Sequence, residues 1–164
     1  MCSTNPGRLK VVQHNVRCWK THGTALLNAY RDLDADVLLL NSTGISRFQT
    51  SNGQTREEKL RVPGYAVQHY NPSGELNDGA AIAVRKSLQF KFLPPRDGML
   101  AVEIGLRRDK VRLCTTYLPP RRGDGNLYDI LKQVGDQAVP TYMLTDLNAH
   151  HPSLGSRKTD QKAS

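Results

Sequence analysis

The stretch TALLNAYRDLDADVLLLNST, Thr24 to Thr43, carries two different periodicities on either side of an acidic turn. In its first half Leu26, Leu27, Tyr30 and Leu33 recur at helical spacing, which predicts a helix from Thr24 to Asp34. In its second half the short apolar run from Asp36 to Asn41 predicts a strand. A helix feeding a strand is the repeating unit of an α/β domain. The same order returns later: Leu127, Ile130, Leu131 and Val134 share a helical face and precede an apolar run from Val139 to Asp146.

Further strands are expected at Leu9 to His14, Tyr65 to Tyr70, Ala80 to Arg85, Ala101 to Leu106 and Val111 to Tyr117. RRDK, Arg107 to Lys110, leaves no room for a helix between the last two, so they form a hairpin and the sheets are mixed or antiparallel. TSNGQTREEK, Thr50 to Lys59, reads as a polar surface loop. Neither an internal repeat nor a low-complexity block is present, and 164 residues suffice for one domain with a real core. The expected organisation is a polar lead over 1–8, one domain over 9–156 and a basic polar tail over 157–164.

A formal charge of +8 and a pI near 9.6 favour an anionic partner, nucleic acid before an acidic membrane surface. Cys2, Cys18 and Cys114 have no ligand-like spacing and read as reduced thiols of an intracellular protein. No apolar run approaches the roughly 20 residues that span a bilayer, and the polar start lacks the apolar segment of a signal peptide.

Asn15, Ser42, Tyr117 and Asp146 each fall at or just past the C-terminal end of an expected strand. Side chains from different strands converge on a common rim at such positions. The last of them lies in YMLTDLNAHH, Tyr142 to His151, where an acid, an amide and two histidines follow an apolar run. Those side chains suit a metal site, half of a nuclease site or a polar turn. Zinc is disfavoured, because adjacent residues such as His150 and His151 point to opposite faces of an extended chain and no Cys or third His lies nearby at zinc-like spacing.

The order LKVVQHNV, helix, DADVLLLNST, NDGAAIAV, VRLCTTYLPP and YMLTDLNAHH resembles the endonuclease/exonuclease/phosphatase superfamily. The continuation HHPSLGSRKTD makes it most similar to the endonuclease domain of LINE-type, non-LTR retrotransposons. The resemblance spans about Leu9 to Asp160. It implies a four-layered, deoxyribonuclease I-like α/β sandwich that hydrolyses DNA phosphodiesters with a divalent cation, Mg²⁺ or Mn²⁺. Carried over by position, Asp146 activates the attacking water, Asn148 binds the phosphate or that water, Tyr117 hydrogen-bonds a phosphoryl oxygen and Asn15 sits beside the metal. Residues i and i+2 of an extended segment point the same way, so Asp146 and Asn148 can share one site. Arg121, Arg122 and His150 are candidates for contact with the nucleic-acid backbone. His14 is expected to pack.

Two departures accompany the match. Where the family's second strand ends in Gln-Glu-Thr, this chain has Asn41-Ser42-Thr43, so Ser42 stands in place of the metal-binding glutamate. A hydroxyl is a poor neutral substitute. At about 4 Å and an effective dielectric near 20, a lost unit charge costs about 4 kcal/mol, which weakens metal affinity on the order of a thousandfold. The family's terminal Ser-Asp-His motif and last core strands also have no counterpart here, which leads to the expectation of a C-terminally truncated domain with an unpaired edge on the second sheet. The resemblance implies a nuclear location, DNA as substrate, a reverse transcriptase in the parent polyprotein, and no membrane or small-molecule cofactor. Two functions follow: a DNA endonuclease that nicks target sites for retrotransposition, or a catalytically inactive remnant with residual nucleic-acid binding.

Overall fold

A computed structural model describes residues 7–44, 47–57, 59–71, 75, 78–96, 98–116, 132 and 138–146. The elements, in chain order, are β1 (Val11–Asn15), α1 (Trp19–Leu33), β2 (Val37–Asn41), β3 (Arg47–Gln49), β4 (Thr55–Glu57), β5 (Tyr65–Tyr70), β6 (Ala80–Arg85), β7 (Phe90–Phe92), β8 (Met99–Gly105), β9 (Lys110–Thr116) and β10 (Thr141–Met143). They build two four-stranded sheets, β1-β2-β6-β5 and β10-β9-β8-β7, and the small hairpin β3-β4.

Both large sheets are mixed, each with one parallel pair at one edge. β1 runs parallel to β2, with Asn15 opposite Asn41, while β2 and β6 and then β6 and β5 are antiparallel. In the second sheet β10 runs parallel to β9, and β9-β8 and β8-β7 are antiparallel. A parallel pair needs a crossover of a dozen or more residues. α1 is that crossover between β1 and β2. Between β9 and β10 the expected helix over Leu127 to Val134 lies outside the described residues except for Lys132, which is helical.

β2 is apolar at nearly every position because it is covered on both faces. Val37 and Leu39 point to the second sheet, where they join Ile82, Val84, Leu100, Val102, Ile104 and Leu113 in one core. Leu38 and Leu40 point the other way, to Tyr30 of α1 and to Leu60 and Val62, with Trp19, Leu26 and Leu27 packed alongside. α1 and the two sheets thus form three stacked layers.

Several boundaries differ from the sequence reading, each for a local reason. α1 starts at Trp19 rather than Thr24, because the Cys18 and Trp19 N–H groups donate to the Ser42 and Thr43 carbonyls at 2.8 Å and fasten its first turn to the end of β2. Gly23 is what permits this: a Cβ there would lie 2.8 Å from the Trp19 indole. The polar stretch Thr50 to Lys59 is a hairpin tip and one of its strands, not a plain loop, closed by Thr50 N–H to the Gln54 carbonyl at 2.8 Å. β7 adds a strand not expected from the sequence, with Phe90 and Phe92 on one face in edge contact at 5.2 Å. The run Val139 to Asp146 forms a strand only over Thr141–Met143, with Asp146 in a single bridge beyond it. The RRDK hairpin is present, with Gly105 opposite Lys110.

Charged pairs lie on the outer surfaces. Arg85 joins Asp34 at 2.6 Å and Asp36 at 3.5 Å, holding the end of α1 to β6. Arg112 meets its cross-strand partner Glu103 at 2.5 Å and holds that carboxyl below the ordinary glutamate range. Cys18 and Cys114 are buried free thiols, and burial pushes the Cys114 thiol up to about 11. No helix among the described residues is long and apolar enough to cross a membrane.

Candidate active site

The strand register brings five chain segments to one rim. Asn15 ends β1 and Asn41 ends β2 directly beside it, with Val16 N–H donating to the Asn41 carbonyl at 2.9 Å. β6 begins at the same level, since Asn41 pairs with Ala80. The ends of β9 and β10 join from the second sheet through Asn41, whose side chain is fully buried. Its Nδ2 donates to the Thr115 hydroxyl at 3.1 Å and to the Thr116 carbonyl at 2.7 Å, while its Oδ1 accepts from Gln13 Nε2 at 2.7 Å. The Thr145 hydroxyl donates to the same Thr116 carbonyl. Leu144 N–H donates to the Cys114 carbonyl at 3.0 Å. This network fixes the segment just before Asp146 against the first sheet.

Asp146 and Asn15 meet as a result: Asn15 Nδ2 donates to Asp146 Oδ2. Arg17 N–H donates to Asn15 Oδ1 at 3.3 Å, which selects the amide orientation that presents its NH₂ to the carboxylate. Arg17 and Cys18 both take positive φ, 51° and 98°, as the chain turns sharply from β1 into α1. Residues outside glycine rarely adopt such angles, and strain of this kind clusters at functional sites.

Ser42 follows Asn41 on the rim, 4% exposed, with φ 52° and its carbonyl engaged by Cys18. Asn15 and Asp146 are thereby brought into contact, and Ser42 directly follows the Asn41 that pairs with Asn15. Tyr117, Asn148, Arg121, Arg122 and His150 lie outside the described residues; in sequence, Tyr117 directly follows Thr116 of the clamp. His14 packs against Tyr30, its Nδ1 2.8 Å from the phenol oxygen and the rings edge to face. Burial raises the Tyr30 phenol pKa above its ordinary value.

Residues that sequence reading passed over complete the rim. Asn41 could have been noticed as the polar end of an otherwise apolar strand. Thr43 and Asp78 lie at the head of the β2-β6 pair, where Thr43 N–H donates to the Gly79 carbonyl at 3.3 Å and Gly44 N–H to the Asp78 carbonyl at 2.9 Å. No periodicity marks them.

A divalent cation of the Mg²⁺ type takes hard oxygen donors. The rim offers such donors in the Asp146 and Asp78 carboxylates, the Asn15 amide and the Ser42 and Thr43 hydroxyls, and Thr43 Oγ1 is buried without a hydrogen-bond partner. That donor set fits Mg²⁺ or Mn²⁺. No cluster of three or more His, Cys, Asp or Glu occurs among the described residues.

The two facing mixed sheets have the deoxyribonuclease I-like fold of the solved structures to which the chain is similar. Among solved structures the chain is similar to the endonuclease domain of TRAS1, a telomere-specific non-LTR retrotransposon, with TM-score 0.70, 21% identity, and 95% of this chain and 66% of that one covered. It is also similar to an endonuclease/exonuclease/phosphatase family protein from Bacteroides thetaiotaomicron, with TM-score 0.58, 12% identity, and coverage of 94% and 66%. An AP endonuclease from Leishmania major matches with TM-score 0.56, 16% identity, and coverage of 87% and 56%. In sequence, 90 residues are 31% identical to the RNA-directed DNA polymerase from the mobile element jockey of Drosophila funebris, covering 51% of this chain and 10% of that protein. No protein-family model matches the chain. The chain thus spans about two thirds of the TRAS1 domain and a tenth of the jockey polymerase.

Proposed function

We propose that this chain is a divalent-cation-dependent DNA endonuclease domain that nicks target DNA for retrotransposition. The observation that carries this reading is the contact between Asn15 and Asp146, which unites a carboxylate and an amide from two sheets at the strand ends. Hydrolysis of a phosphodiester needs a base for the attacking water and donors for the charge developing on the phosphoryl oxygens. Asp146 is the base, with its carboxylate held in position by Asn15. Tyr117 and Asn148 are the donors to the phosphate, and a bound cation supplies charge compensation at the phosphoryl oxygens. Arg121, Arg122 and His150 contact the DNA backbone, in keeping with the charge of +8. The likeness to retrotransposon proteins supports a setting beside a reverse transcriptase in one polyprotein, acting in the nucleus.

A second reading, an inactive remnant that retains nucleic-acid binding, is favoured by one observation: Ser42, almost fully buried, puts a neutral hydroxyl where the resemblance calls for a carboxylate. Conversion of supercoiled plasmid to open circles in Mg²⁺, Mn²⁺ or EDTA tests the two. Cation-dependent nicking supports the endonuclease; salt-sensitive DNA binding without nicking supports the remnant.

A further inference from the structure

A cavity of about 440 Å³ opens between α1 and the segment that leads into β5, and both Tyr65 and Arg85 line it. β6 runs from Ala80, which pairs with Asn41 at the rim, to Arg85, which pairs with Tyr65. At about 3.3 Å per residue the cavity therefore stands on the order of 17 Å from the rim, at the other end of the first sheet. Its volume is that of a small-ligand pocket. One wall is apolar, made by Leu27, Val62, Pro63 and Tyr65. The Tyr65 hydroxyl donates to the Ala35 carbonyl, which fixes the half-buried ring in place.

The charges around the cavity do not balance. Arg85 and Asp34 both line it but neutralise one another at 2.6 Å, with Asp36 3.5 Å from the same guanidinium. Arg31, also in the lining, donates to Asn28 Oδ1 at 2.6 Å and joins none of the ion pairs among the described residues. Two further exposed cations adjoin lining residues: Arg61 precedes Val62, and the Lys86 N–H donates to the Gly64 carbonyl at 3.0 Å. Neither belongs to an ion pair among the described residues. A recess with an aromatic wall and unbalanced positive charge at its margin suits a ligand that is flat and apolar at its centre and anionic at its edges. A nucleotide has both properties, a base face that stacks on an aromatic ring and phosphates that meet Lys and Arg. Bases within a duplex are stacked and paired, so only an unpaired strand can turn one into such a recess.

We propose that this cavity is a second nucleic-acid site that takes a single-stranded segment, with one base lodged against Tyr65 and the adjoining phosphates met by Arg31, Arg61 and Lys86. The site goes beyond the endonuclease reading and does not depend on it, because none of its residues belongs to the rim.

The test is fluorescence anisotropy of labelled oligothymidine and oligouridine, each about 12 nucleotides long, and of a thymidine-adenine duplex of equal length. The whole chain is compared with Arg31→Glu, Lys86→Glu and with a control, Arg107→Glu, Arg108→Glu, which changes the net charge equally on the exposed turn between β8 and β9. Arg31→Glu, Lys86→Glu weakens single-strand binding about tenfold or more, and the control weakens it less than about threefold. Binding of either single strand supports the site, and the tighter one identifies the strand as DNA or RNA. Equal losses in the two variants overturn the proposal, as does a wild type that binds no single strand at millimolar concentration. A duplex that loses as much affinity as the single strands, or a labelled oligoglutamate peptide that binds as tightly as they do, also overturns it. All four substituted residues are exposed, so the circular dichroism spectrum is retained. Should it change, amide shifts of the wild type on addition of oligothymidine or oligouridine decide: shifts at Asn28, Arg31, Gly64 and Tyr65 support the site, and shifts confined to Asn15, Arg17 and Ser42 overturn it.

Discussion

The side-chain amide of Asn15 donates to the carboxylate of Asp146, joining residues 131 positions apart in sequence. Neither residue is held by its own strand alone. Asn15 is set by its register with Asn41, and the approach to Asp146 is set by Thr145 and Leu144, which bond to Thr116 and Cys114 of β9.

If Asn15 orients the base, Asn15→Ala should lower the nicking rate by about a hundredfold, within the range for misplaced general-base groups. Its circular dichroism spectrum and melting temperature should stay close to those of the wild type, because the pair is only part-buried. A large loss of stability with proportional loss of activity would assign Asn15 to the fold instead.

Asn41 is the opposite case. Asn41→Leu fits apolar surroundings but takes the Asn41 amide from Gln13 Nε2 and the Thr115 hydroxyl and leaves the Thr116 carbonyl with the Thr145 hydroxyl alone. Urea unfolding should show a loss of about 2–4 kcal/mol. A neutral result would mean that the two sheets are held at the rim by apolar contacts alone.

Gly79→Ala should destabilise the chain by about 2 kcal/mol, combining the cost of φ +92° for a non-glycine residue with the clash against Thr43. Thr43→Ser in that background removes the methyl but keeps the hydroxyl at 2.8 Å, so recovery should be small. Thermal melts of the single and double variants measure this.

The Glu103–Arg112 pair gives a pH dependence of fixed sign. The guanidinium hydrogen bond lowers the Glu103 pKa in the folded state, so the pair's stabilisation is present above the unfolded glutamate pKa of about 4.3 and is lost as pH falls through the lower folded value. The difference in melting temperature between the wild type and Glu103→Gln should be constant from pH 6 to 8, values on the plateau about two units above that pKa. It should shrink below about pH 4.

β5 and β6 were legible to the residue because polar turns bound their apolar runs on both sides. α1 was legible only from Thr24, since Gly23 and His22 interrupt the apolar spacing and Trp19 is recruited by carbonyls of a strand still to come in the chain. β3, β4 and β7 are three-residue strands, too short for a period to show. Within the site, Asn15, Ser42 and Asp146 could be read because each ends an apolar run. Asn41 looked like the last residue of a buried strand, and its role arises from facing Thr115 in the other sheet. Thr43 and Asp78 became visible only through the backbone bonds at the head of the β2-β6 pair, where the Thr43 N–H meets the Gly79 carbonyl and the Gly44 N–H the Asp78 carbonyl.

The initial rate of open-circle formation from supercoiled plasmid in Mg²⁺, compared between the wild type and Asp146→Ala, tests the central claim most directly. The account predicts nicking that EDTA abolishes and that Asp146→Ala lowers by about 10²–10⁴-fold while DNA binding is retained. Nicking that survives Asp146→Ala, or a wild type that binds DNA and never nicks it, would contradict the account.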